Sequence, residues 1–140
     1  MRLRHIPGSE ETVAASPYVI GQPQQYQGNF QKLFGIDKPI EIEIGMGKGK
    51  FIMELAKNNP QTNYLGIERY PSVLLRAIAK REDLNLSNIY FLCMDARTLT
   101  EVFALEEVSR IYLNFYDPWP KARHAKRRLP WSNLQRGPVR

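Results

Sequence analysis

The clearest periodic segment of the chain is Ile40-Glu-Ile-Glu-Ile44, where apolar and polar residues alternate strictly and the β-branched ones share a side. That period predicts a strand. Upstream, residues 1–26 show no sustained period and mix Pro7, Gly8, Pro17, Gly21 and Pro23 with glutamines. They are expected to form an irregular arm with Tyr18 to Ile20 extended. A short covering helix is expected over Phe30 to Phe34, capped by Asn29 and closed by Gly35. Downstream of the strand come Gly45, Gly47 and Gly49. Phe51, Ile52, Leu55 and Ala56 then fall on one helical face until Asn58-Asn59-Pro60 ends the helix. Asn63 to Ile67 reads as a second strand ending in Glu68. Pro71 suits the first turn of a helix whose face is Leu74, Leu75, Ile78 and Ala79. Asn88 to Met94 is apolar almost throughout, as in a strand covered on both faces, and ends at Asp95. A weaker helix is expected over Thr98 to Leu105 and a fourth strand over Val108 to Phe115. Pro118 and Pro120 rule out its continuation.

Strands alternating with helices predict an α/β, doubly wound, mostly parallel sheet with right-handed crossovers. In such sheets ligands lie outside the carboxyl ends of the strands. The four strands end at Gly45, Glu68, Asp95 and Asp117, so these residues are expected to face one crevice.

With 140 residues the chain is expected to be one domain, and no apolar run approaches the length of a membrane helix. The N-terminus lacks the apolar core of a signal peptide, and the lone Cys93 fits a reducing, cytoplasmic setting. Charge changes the picture most. Residues 1–120 hold 13 Lys/Arg against 14 Asp/Glu, while the last twenty hold 7 Lys/Arg and no acid, giving the net +6. A neutral body with a basic end points to a local polyanion contact, and nucleic acid suits it better than a membrane, since the cations lack amphipathic spacing.

The glycines after the first strand permit a tight turn and close approach of backbone to a ligand. Their spacing departs from the dinucleotide fingerprint, whose third glycine lies three residues after the second. The acidic Glu43 before them suits an ammonium-bearing ligand better than a pyrophosphate. Glu68 is placed to accept from two ribose hydroxyls. Asp95, with Ala96 beside it, either accepts from an adenine amino group or caps the following helix; three acids at successive strand ends favour the ligand. One cysteine with His5 and His124 forms no metal-ligand set, and no catalytic triad emerges.

Glu43-x-Gly45-x-Gly47-x-Gly49 is similar to the S-adenosylmethionine loop of class I methyltransferases. Asn114-Phe-x-Asp117-Pro-Trp119-Pro-Lys121, followed by Arg123-His124-x-Lys126-Arg127-Arg128, resembles the signature of bacterial tRNA (guanine-N7-)-methyltransferases. The resemblance runs from about Ile40 to Leu129. It implies a Rossmann-like class I sheet, S-adenosylmethionine as cofactor, and a guanosine of the tRNA variable loop as substrate. By position, Glu43, Gly45, Gly47, Gly49, Glu68, Asp95, Ala96 and Asn114 look like cofactor contacts. Asp117 looks like the catalytic carboxylate. Lys121, Arg123, His124, Arg127 and Arg128 look like substrate contacts, where the cations would meet phosphates.

After Leu129 the residues depart from the family pattern, so the chain is expected to carry only the first four strands and to be truncated. The implied division is an arm over 1–38, a cofactor-binding domain over 39–129 and a divergent basic tail over 130–140. An unpaired fourth-strand edge predicts self-association. The alternative reading is a non-catalytic RNA-binding module that keeps the methyltransferase shell.

Overall fold

The sheet is built around β1 (Ile40–Ile44). In the computed structural model, which describes residues 6–113, β1 is flanked by β2 (Asn63–Glu68) and by β4 (Arg110–Leu113), with β3 (Ile89–Cys93) beyond β2. The order is β3-β2-β1-β4 and every pair is parallel. Ile42 sits opposite Leu65 on one side and Ile111 on the other. The chain winds outward from β1 through β2 to β3, then crosses back to β4, so the winding direction switches between β1 and β4. This is where an open α/β sheet leaves its crevice.

Alternation along the strands sorts side chains onto two faces. Ile40, Ile42, Ile44, Leu65, Ile67 and Leu92 pack on one face with Phe30, Leu99, Val102, Phe103 and Val108. Phe30 comes from α2 (Phe30–Phe34), and Leu99 from a 3-10 turn over Ala96–Glu101. On the other face Tyr64, Ile89 and Phe91 meet Ile52, Met53 and Ala56 of α3 (Lys50–Asn58) and Leu74 and Ala77 of α4 (Pro71–Leu84). Gly66 lies at the middle of β2 on this second face. A Cβ there would collide with Met46 Sδ and come within 3.3 Å of Phe91 Cδ1, so only glycine lets the loop after β1 pack so closely.

At the amino end of the sheet, Asn88 ties the structure together. Its amide Nδ2 donates to the carbonyls of Ala56, Asn59 and Thr62 at 3.1, 3.2 and 2.9 Å, satisfying the acceptors left by the end of α3.

Several expectations are corrected. The arm is not irregular throughout: Ser9–Ala15 form a helix, α1, which packs on α4 and buries Val13, and Pro23–Tyr26 form a further 3-10 turn. The extension of Tyr18 to Ile20 is observed, for Phe91 N–H donates to Tyr18 O and Ile20 N–H to Phe91 O, laying the arm along the outer edge of β3. Arg81 of α4 fixes the same corner, its guanidinium 4.0 Å from the Tyr18 ring centre and its Nε donating to Ile89 O.

Asn29 precedes α2, but its side chain does not cap it. Glu107 does so instead, accepting from Phe30 N–H at 3.1 Å and from Gly28 and Ala104 N–H at 2.9 Å. In α3, Phe51 turns outward at 45% exposure and meets Tyr112 edge-on, while Met53 takes the buried place. In α4, Ala79 is exposed, and Arg81 completes the inner face. The expected Thr98–Leu105 helix is the shorter 3-10 turn, with Leu105 73% exposed. β4 begins at Arg110 rather than Val108, and the expected continuation to Phe115 lies partly outside the described residues.

Candidate functional site

The carboxyl ends of β1, β2 and β3 converge on the loop Gly45–Gly49. Gly45, Gly47 and Gly49 have φ of 78°, 60° and 81°, a region that side chains with a Cβ adopt only at a cost. Gly45 and Met46 N–H both donate to Ile67 O, at 2.9 and 3.0 Å, which turns the chain sharply out of β1 and over β2. Gly49 then starts α3 with no side-chain cap, so the helix presents its first amide donors toward the loop. A Cβ on Gly49 would lie 2.5 Å from Met53 Cε and 3.2 Å from Ala77 Cβ.

Glu68 is the residue that joins the loops. It is 4% exposed at the end of β2. Its Oε1 accepts from Gly47 N–H at 2.9 Å and its Oε2 from Tyr70 N–H at 3.1 Å. Each oxygen keeps a second lone pair for another donor. The carboxylate thus fixes the glycine loop and the start of α4 at once, which its place in the sequence does not reveal. Glu43 is fully buried in β1, on the side opposite Ile42 and Ile44.

Asp95 takes the capping role that was its alternative reading. Its Oδ1 accepts from Arg97 N–H at 2.9 Å, and its two oxygens accept from Arg97 Nε and Nη2 at 2.8–3.2 Å. The side-chain hydrogen bond from Arg97, followed by that from its amide, holds the Asp95 carboxyl down at about 2. Ala96 is half-buried against the Phe30 side of the core. Cys93 is half-buried, and burial pushes its thiol up, as for a packing residue rather than a nucleophile.

The structure therefore brings together Glu43, Gly45, Gly47, Gly49, Glu68 and Asp95 at neighbouring strand ends. Asn114, Asp117, Lys121, Arg123, His124, Arg127 and Arg128 lie outside the described residues. No group of His, Cys, Asp and Glu among the described residues could hold a metal ion, and no described helix is long and apolar enough to cross a membrane. Sequence reasoning missed Arg97 as the partner of Asp95 and Tyr70 as a donor to Glu68. The i, i+2 spacing of both pairs was the available signal.

A parallel sheet of this order, with a glycine loop after β1 and acids at the next two strand ends, defines a Rossmann-like α/β fold. A family model described as "Putative methyltransferase" matches residues 37–135. The chain is 60% identical over 134 residues to a tRNA (guanine-N(7)-)-methyltransferase of Lachnoclostridium phytofermentans, covering 96% of this chain and 63% of that protein. It is 55% identical over 132 residues to one from Geobacillus sp. strain WCH70, covering 94% of this chain and 60% of the other. The 30S ribosomal A1408 methyltransferase from an uncultured bacterium shares the fold, with TM-score 0.56 and 19% identity over 78% of this chain and 55% of that one. The chain belongs to the putative methyltransferase family that this model describes, and it spans about three fifths of the length of these two relatives.

Proposed function

We propose that this chain forms the S-adenosylmethionine-binding part of a tRNA (guanine-N7-)-methyltransferase acting in the cytoplasm. The observation that carries the reading is the convergence of Glu43, the Gly45–Gly49 loop and Glu68 at adjacent strand ends. The donor set fits the cofactor. Glu68 has lone pairs left for ribose hydroxyls, and Glu43 suits an ammonium group. The uncapped start of α3 suits the carboxylate of an amino acid. Asp95, with Ala96, would meet the adenine amino group, in which case its oxygens accept from that group as well as from Arg97. Asn114 would complete the cofactor side.

The cofactor supplies an electrophilic methyl on a sulfonium. Guanine N7 carries a lone pair and no proton, so the protein needs no base to create the nucleophile. Its residues have to hold the base in line and stabilise the charge that develops on it. Asp117 is assigned this work, accepting from the guanine Watson–Crick edge and offsetting the new cation. Lys121, Arg123, His124, Arg127 and Arg128 are assigned the tRNA backbone.

The test joins calorimetry of S-adenosylhomocysteine with methyl transfer to an unmodified tRNA transcript, read as 7-methylguanosine by mass spectrometry. Binding and transfer support the reading. RNA binding with neither would make this chain an RNA-binding shell. Cofactor binding without transfer would confine its role to the cofactor-binding part.

A further inference from the structure

The loops at the carboxyl end of the sheet are layered by charge. Closest to the strands lie the buried Glu43 and Glu68 and the half-buried Asp95. Further out, every exposed charged side chain in segments 45–50, 68–71 and 95–98 is cationic: Lys48, Lys50, Arg69 and Arg97. Each of the three described strand-to-helix connections contributes at least one. Tyr70 stands among them, 40% exposed, with the Arg69 guanidinium 5.3 Å from its ring centre. The opposite end of the sheet is mixed, with Asp37 and Glu106 exposed alongside Lys57 and Arg110.

An inner anionic layer inside an outer cationic one suits two ligands of opposite demand at one mouth. A cationic rim with an aromatic face is how proteins hold a single-stranded nucleic acid: cations track phosphates and rings stack on unpaired bases. We propose that this rim is a second RNA contact, formed by the strand-end loops and distinct in sequence from residues 121–128. In it Lys48, Lys50 and Arg69 meet the phosphates of an unpaired tRNA segment, and Tyr70 stacks on one of its bases. The proposal rests on the reading of tRNA as partner and extends the tRNA contact beyond the basic segment. A rim that receives the backbone beside the crevice would hold a looped-out guanosine at the mouth where the cofactor is assigned.

The experiment measures tRNA binding by the full 140-residue chain without cofactor, across a salt series. The rim variant is Lys48→Gln/Lys50→Gln/Arg69→Gln. A matched control, Lys32→Gln/Lys57→Gln/Lys80→Gln, removes the same charge from exposed positions on helices. Each lost phosphate contact lowers the slope of log affinity against log salt by about 0.7–0.9. The rim variant is expected to lose about 2 in slope and at least about tenfold in affinity near 0.1 M salt, while the control keeps the parent slope. Tyr70→Ala is expected to weaken binding severalfold with the slope unchanged, since stacking releases no counterions. Equal slopes for parent and rim variant, or an equal loss in the control, would overturn the proposal. Calorimetry of S-adenosylhomocysteine on the parent reads the cofactor assignment independently, so either reading can fail alone.

Discussion

Replacing Glu68 by glutamine tests the junction on which the site depends. The carboxylate accepts one backbone N–H on each oxygen, from Gly47 at 2.9 Å and Tyr70 at 3.1 Å, in a position only 4% exposed. A hydrogen bond to a charged group contributes about 1.5–3 kcal/mol. Glutamine has the same shape but only one accepting oxygen, and its NH2 would face the second donor. One bond is lost outright, one becomes neutral, and a buried N–H is left facing another donor. We expect a destabilisation of about 2–3 kcal/mol in the absence of any ligand, or roughly 5–15 °C in the thermal midpoint for a domain of this size. The same change should weaken S-adenosylhomocysteine by about tenfold, because the loop that receives it loses its anchor. Circular dichroism melts and calorimetry read the two effects separately. If Glu68→Gln leaves the ligand-free midpoint within a degree of the parent, the carboxylate does not hold the glycine loop and the reasoning fails.

Further outcomes concern two glycines and Asp95. Gly49→Ala places a Cβ 2.5 Å from Met53 Cε and 3.2 Å from Ala77 Cβ at a φ of +81°, and is expected to cost about 2–4 kcal/mol by chemical denaturation. Gly35→Ala shares the positive φ but meets no atom within 4 Å, and is expected to cost roughly half as much. Asp95 is depressed in the folded chain, so its contribution to stability is present above its ordinary value of 3.8 and is lost as pH falls through about 2. In Arg97→Gln the carboxyl should titrate above 2 but still below 3.8 by NMR, because the amide of residue 97 still donates to it; a value still near 2 would show that the guanidinium is not the main cause.

The strands were legible because their signals are local. Ile40 to Ile44 alternates, Ile89 to Cys93 is continuously apolar, and both end in residues that cannot extend a buried strand. The same logic brought Glu43, the glycines, Glu68 and Asp95 to one end of the sheet. What the sequence hid depends on distant partners. α1 buries little beyond Val13 and is held by packing on α4, so it leaves no period to read. The cap of α2 comes from Glu107, 77 residues beyond Phe30, whereas a local rule can only nominate Asn29. Phe51 has the spacing of a core residue, but its helix turns Met53 inward and leaves the ring to Tyr112. Arg81 shows the converse: a cation occupies an inner helix position because Tyr18 and the Ile89 carbonyl receive it there.

The pairing of Tyr18 and Ile20 with Phe91 has a consequence for the order of events during synthesis. About seventy residues separate these partners, so the arm leaves the ribosome first yet cannot engage until β3 has followed it. Closing so long a loop is slow compared with forming α3 or α4, whose contacts are local. Until it closes, the outer edge of β3 offers its free backbone groups to any other extended chain, a nascent neighbour included. A segment made well before its partner therefore acts as a late latch, and the time between completion of β3 and docking of the arm is an interval in which this edge is open to misassembly.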